Sequence, residues 1–177
     1  MKIFIYLMLT IASFSLVAKN NQTDNTKKIL DLMHQREAVM KDVAAYKFKK
    51  NISVYSASRE NSILQKVKIK NLKKRLSYMT YLQVSMDVSK QIESYWIHYW
   101  SQKGIKPHPH KNLKQIRNEI NRIDKRLAKL YEKSQFSKMD YKHFYKKYER
   151  NFKVKGLNKT YKELFMYNLY QVTQQYT

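Results

Sequence analysis

The sequence of 177 residues contains no cysteine. That excludes a disulfide framework, a thiol nucleophile and a thiolate metal site, so the fold must be held by its core alone. Glycine and proline number only two each, which leaves little turn chemistry and points to long helices. No alternating strand pattern with hairpin signals, internal repeat or low-complexity block is present. Acidic residues are scarce, with 13 Asp and Glu against 36 Lys and Arg and a formal charge of +23. Such a surface attracts polyanions at low salt, whether nucleic acid or anionic lipid. The cations are scattered through every segment, however, and no zinc knuckle, basic zipper or helix-turn-helix signature accompanies them. They read as a solvated face, and no specific nucleic-acid partner is expected.

What is present is a leader and enough apolar residues for one core. Met1-Lys2 followed by "IFIYLMLTIASFSLV" and then polar "KNNQTDNT" has the form of a secretory signal peptide, with an apolar run short and Ser/Thr-spotted for a membrane span. Cleavage after Ala18 is preferred, cleavage after Ser15 is the alternative, and an uncleaved anchor is the competing reading. Removal of residues 1–18 takes away Lys2 and no acid, which leaves +22 and no stable membrane span. The mature chain is expected to be periplasmic or secreted. With 43% hydrophobic residues, residues 19–177 suffice for a single domain. The expected fold is all-α, one helical bundle of about five to six helices, with a motif-bearing part at 26–130 and a helical carboxyl-terminal part at 131–177.

The stretch "ILDLMHQREAVMKDVAAYKFKK", residues 29–50, reads as one amphipathic helix with an anomaly. At about 100° per residue, Ile29, Leu32, Met33, Val39, Met40 and Val43 fall within roughly 60° of Arg36, and Lys47 returns to about 20°. Asp31, His34, Gln35, Glu37, Lys41 and Asp42 fall on the opposite side. Two cations thus occupy the apolar stripe, where an unpaired charge is expensive. Either both side chains snorkel past the stripe or meet internal carboxylates, or they point into a pocket that takes an anion.

Further helices follow. Ser58 is a plausible N-cap for a helix that opens with Arg59-Glu60 and runs through "NSILQKVKIKNL" toward Arg75. A third, about 78–102, carries Tyr78, Leu82, Met86, Ile92, Trp96 and Trp100 on one stripe, with Ser89 and Glu93 on that stripe one turn apart. "KGIKPHPHKN" breaks the chain, and its His108 and His110, in a Pro-rich loop without further ligands, read as solvent-exposed rather than metal-binding. Asn112 can cap a fourth helix in which Leu113, Ile116, Ile120, Ile123, Leu127 and Leu130 are apolar and Arg117 lies at the stripe's edge. "MDYKHFYKKYERNF" is a short aromatic, basic segment, and "LNKTYKELFMYNLYQVTQQY" makes a last helix.

Arg36, Lys47, Arg59, Ser89, Glu93 and Arg117 therefore come from four helices and can converge in a bundle interior. Three guanidinium groups and one ammonium suit a ligand with more than one carboxylate. Neither a nucleophile–base pair nor metal-ligand spacing stands out, so neither cofactor nor metal is expected. The order Arg36, Lys47 eleven residues later in "VAAYKF", Arg59-Glu60 in "SASRENSIL", and Ser89 and Glu93 in "MDVSKQIESYW" resembles the all-helical, type II chorismate mutases. The downstream "NLKQIRNEINRID" and the leader narrow the resemblance to their secreted, usually periplasmic, subclass.

That resemblance implies a cofactor-independent rearrangement of chorismate to prephenate. It implies that Arg36 and Arg117 bind the substrate carboxylates and that Arg59 and Ser89 complete the clamp. Lys47 donates to the ether oxygen, Glu93 faces that oxygen from the other side, and Glu60 meets the substrate hydroxyl. Since Glu93 can donate only when protonated, its pKa is expected to be raised by burial against the pull of neighbouring cations. The subclass supplies the arginine at Arg117 from the same chain, and the family suggests a homodimer. The chain departs from the pattern at Ser56, where relatives often carry Asp, and in lacking the disulfide that some secreted relatives have. The rival class is an exported basic binding protein on the same scaffold, with weak or no activity.

Overall fold

The computed structural model describes residues 25–133 and 138–174; the expected leader at 1–18 lies outside them. Among the described residues there are helices and connections and no strand. The elements are α1 (25–38), α2 (Met40–Lys50), α3 (Ala57–Gln65), α4 (Leu72–Lys103), α5 (Leu113–Lys133), α6 (Tyr141–Tyr148), a 3₁₀ turn (Glu149–Asn151) and α7 (Lys159–Gln174). The fold is all-α, as the periodicity predicts, and no helix among the described residues is long and apolar enough to cross a membrane.

The helix expected at 29–50 is present as two segments that meet at Val39. Val39 keeps helical dihedrals, but its N–H is shared between the Gln35 and Arg36 carbonyls at 3.4 and 3.2 Å, a local tightening of the helix at this residue. α2 stops at Asn51, whose φ of 51° and ψ of 45° place it in the left-handed region, with its N–H turned back to the Lys47 and Phe48 carbonyls. Asn tolerates that conformation at a helix end better than most side chains.

One expectation is corrected between α3 and α4. The second helix does not open after Ser58 and run toward Arg75: it starts at Ala57, with extended Ser56 as its N-cap, and ends at Gln65. In the segment beyond, Lys66, Lys68 and Lys70 are exposed while Val67 is half-buried and Ile69 is buried. This alternation belongs to extended chain, because a helix would set Val67 and Ile69 about 160° apart with Lys66 and Lys70 between them. Asn71 then restarts the helix by accepting the Lys74 N–H at 3.0 Å, so α4 begins a turn and a half earlier than the expected 78.

At 32 residues, and thus about 48 Å long, α4 is the spine. Tyr78, Leu82, Met86, Ile92, Trp96 and Trp100 are all buried on it, together with Ser85, Ser89 and Glu93. Gly104 terminates it at φ 63°, where a side chain would be strained, and bonds back to Trp100 and Ser101. α5 opens on a reciprocal cap: the Asn112 side chain accepts the Gln115 N–H, and Gln115 Oε1 accepts the Asn112 N–H, each at 2.9 Å. It buries Ile116, Ile120, Ile123, Leu127 and Tyr131.

The carboxyl-terminal part closes the far side. Phe144, Phe152 and Phe165 have essentially no exposure, and the Phe152 and Phe165 rings stack with centroids 4.3 Å apart. α7 lays Phe165, Met166, Leu169 and Val172 into the core. Gly156, at φ 94°, lets the connection before α7 run against the Tyr95 ring, where an added Cβ would lie 2.7 Å from a ring carbon. A cavity opens where the 51–56 link and the start of α5 meet α2 and α4.

Candidate functional site

The cavity has a volume of about 470 Å³ and is lined from α1 through α5 and from the 51–56 link, a size typical of small-molecule sites. Arg36, Lys47, Arg59, Glu60, Ser89, Glu93 and Arg117 all line it, as do Lys90 and the apolar side chains of Met40, Val43, Ile63, Met86, Ile116 and Ile120. All seven residues expected from the sequence are thus brought together, and all come from one chain.

Arg36 forms the floor. It is 3% exposed. Its Nη1 donates to Glu37 Oε1 at 2.9 Å and to Ser89 Oγ at 2.6 Å, and its Nε donates to Asp124 Oδ1 at 3.0 Å. Burial disfavours its charge, but Asp124 and Glu37 outweigh burial and hold the guanidinium protonated. Three of its five N–H groups are engaged; Nη2 donates to no partner among the described residues.

Glu37 corrects the helical-wheel reading, which placed it on the outer side. It is 1% exposed, and both of its oxygens accept hydrogen bonds. Oε1 takes Ser85 Oγ at 3.2 Å besides Arg36, and Oε2 faces Ser89 Oγ at 3.1 Å. Burial pushes its carboxyl above the ordinary range, opposed by Arg36 and the two serines. The wheel fails because α1 is covered over a wider arc than one stripe: α4 meets it through Ser85 and Ser89, and α5 through Asp124. A signal was nonetheless present, since an arginine on an apolar stripe demands carboxylate partners. Glu37 beside it and Asp124 in "RIDK" could have answered that demand.

Lys47 lines the same cavity from α2. Its Nζ donates to Glu93 Oε2 at 2.6 Å and to the Val54 carbonyl at 3.1 Å, which ties the 51–56 link to α2 and leaves a third N–H. Burial raises the Glu93 carboxyl above its ordinary range, against the opposing effects of Lys47, Arg36 and Arg59. Of the two readings of the charged stripe, both hold in part: Arg36 and Lys47 meet internal carboxylates and also line the cavity.

Glu60 is held by Lys90 Nζ at 3.2 and 3.3 Å and by Gln83 Nε2 at 3.2 Å. Lys90 also pairs with Asp87 at 2.8 Å and lies 5.2 Å from the Tyr55 ring centroid. The sequence reading did not include Lys90, which lies off the apolar stripe of α4 and carries no local mark. Ser56, at the position where relatives often have Asp, makes no side-chain capping bond; the carboxylate facing Lys47 is that of Glu93 instead. His108 and His110 are exposed.

Arg59 and Arg117 differ from the other cations. Both are exposed residues that line the cavity, and neither makes a hydrogen bond or ion pair among the described residues. Partial burial lowers the Arg59 pKa, and repulsion from Arg117 lowers it further. Asp124 and Glu93 act on Arg59 in the opposite sense without outweighing burial and Arg117, so two like charges within electrostatic reach leave a place for an anion.

The geometry therefore defines an all-helical protein with a pocket that is apolar over most of its lining, rich in cations, and built from a single chain. Residues 21–93 match the model of the family described as chorismate mutase type II. That stretch carries six of the seven residues, Arg36, Lys47, Arg59, Glu60, Ser89 and Glu93, while Arg117 lies beyond it on α5. No curated protein matches the chain.

Proposed function

We propose that this chain is a chorismate mutase of the secreted subclass, converting chorismate to prephenate without a cofactor. The observation that carries the reading is the pair of guanidinium groups, Arg59 and Arg117, that have no partner among the described residues and line the same pocket as Lys47 and Glu93. The type II match over 21–93 supports it. Chorismate is a dianion, and its rearrangement breaks the ether C–O bond while a C–C bond forms, so the protein needs neither nucleophile nor redox group. Its task is to hold the reactive conformer and stabilise charge that grows on the ether oxygen.

Under this proposal Arg36, through its free Nη2, and Arg117 bind the two carboxylates, and Arg59 completes the clamp. Ser89 takes part by holding Arg36. The third N–H of Lys47 donates to the ether oxygen, protonated Glu93 donates from the other side, and Glu60 accepts from the substrate hydroxyl. Residues 1–18 direct the chain to the periplasm or out of the cell, and the mature domain, 19–177, works as a homodimer whose pockets are each lined by one chain. The second reading, an exported basic binding protein, draws on the completeness of the Arg36 and Lys47 ion pairs in the free protein.

A bicyclic dicarboxylate mimic of the transition state separates the two by calorimetric titration. The mutase binds it with one-to-one stoichiometry and loses affinity with Arg59→Ala or Arg117→Ala, and much of that affinity persists at raised salt. A general polycation shows weak binding that fades with salt and is indifferent to either substitution.

A further inference from the structure

Glu37 is a buried carboxylate that the proposed chemistry does not use, and its surroundings show what it does. Arg36 has two edges. The Nε edge faces Asp124 on α5, and Nη1 is fixed from two sides, by Glu37 Oε1 at 2.9 Å and Ser89 Oγ at 2.6 Å. Glu37 is itself fixed, because Ser85 donates to Oε1 at 3.2 Å and Ser89 approaches Oε2 at 3.1 Å. Ser85 and Ser89 are one turn apart on α4, and both are buried. The single Ser89 hydrogen is shared between Glu37 Oε2 and the Ser85 carbonyl, which lies 2.8 Å away. The four side chains form a closed unit that leaves Arg36 no other rotamer at low cost, since breaking it would strand a buried acid and a buried cation.

We propose that Glu37, braced by Ser85, is a positioning residue that locks Arg36 and Ser89 so that Nη2 is presented to one carboxylate of the ligand. This rests on the mutase reading and deepens it. The alternative function for Glu37, neutralising Arg36, is already covered by Asp124. A guanidinium clamp works only when its fork is aligned with the carboxylate, and a misplacement of about 1 Å can cost on the order of a hundredfold in rate.

The test uses the purified chain with Glu37→Ala, Glu37→Gln and Ser85→Ala, read by chorismate turnover, by affinity for the bicyclic dicarboxylate mimic, and by affinity for its two monocarboxylate analogues. Gln has the same length and can accept from Arg36 and Ser85 while donating to Ser89, so it should keep kcat/KM within about threefold of the wild type. Glu37→Ala should lose roughly 10- to 100-fold in kcat/KM and in dicarboxylate affinity. At least one monocarboxylate, gripped by Arg59 and Arg117, should bind within about threefold of its wild-type affinity. A merely structural Glu37 would weaken all three ligands together. If Glu37→Ala does not fold, Ser85→Ala decides: removal of one hydroxyl should lower dicarboxylate affinity by about threefold or more, again sparing a monocarboxylate. A folded Glu37→Ala with unchanged kcat/KM, or parallel loss for every ligand, overturns this inference alone. Absence of turnover by the wild-type chain overturns the mutase reading and this inference with it.

Discussion

Replacement of Glu93 by Gln isolates the proton in the proposed chemistry. The carboxyl is 4% exposed, and burial lifts it above its ordinary value of 4.5, while Lys47 at 2.6 Å, Arg36 and Arg59 oppose the rise without cancelling it. Only the protonated acid can donate to the ether oxygen. As pH climbs through the raised value the competent fraction falls tenfold per unit, an added barrier of about 1.4 kcal/mol for each unit. The wild-type profile of log kcat/KM should therefore descend with a slope near −1 on its alkaline side. An amide donates at every pH, so Glu93→Gln should be flat over the same interval and should overtake the wild type at its upper end. Stability carries the same sign. A carboxyl with a raised folded value stabilises the fold fully below its unfolded value, and that contribution is lost as pH rises toward the folded value. Stopped assays across pH with both proteins at saturating and limiting chorismate provide the measurement. Identical slopes in the two proteins would refute the assignment of the proton to Glu93.

Other consequences follow from the proposed chemistry and from the packing. Arg59→Ala and Arg117→Ala each remove a charge-assisted clamp on a carboxylate, about 1.5–3 kcal/mol, so KM should rise roughly 10- to 150-fold with the melting temperature little changed. Lys47→Ala should instead lower kcat, by about 100- to 1000-fold, because its donor acts on charge that develops only in the transition state. Gly156→Ala drives a Cβ into the Tyr95 ring at a φ of 94°, and should destabilise by about 1–3 kcal/mol in chemical denaturation. Phe165→Ala empties a fully buried position stacked on Phe152; a loss of about 3–5 kcal/mol is expected, a fall in melting temperature of roughly 6–20 °C.

The parts of the fold that were legible in the sequence are those with strong one-sided periodicity. The α4 stripe from Tyr78 to Trp100 and the α5 start at Asn112 follow from spacing and from one capping residue. Residues 66–71 were missed because "KVKIKN" reads equally as a helical continuation or as extended chain; the burial of Ile69 beside exposed lysines decides, and burial is a tertiary property. The interruption at Val39 has no proline or glycine to announce it. For the site, Arg36 and Lys47 stood out because each violates an apolar face. Their partners did not: Glu37 is flagged as exterior by a single-face wheel, and Asp124 is legible only once α5 is known to cross α1. Arg59 and Arg117 carry no anomaly of pattern, and their significance, two cations without an ion-pair partner among the described residues, appears only when the acids of the folded chain have been placed.

The most direct test of the central claim is the loss of chorismate absorbance with the purified chain lacking residues 1–18, run beside Arg59→Ala. Cofactor-free conversion to prephenate that falls by at least tenfold in the variant is the predicted result. A folded, helical wild-type protein that leaves chorismate at the uncatalysed rate would contradict it, and would mark the pocket as a binding site without mutase activity.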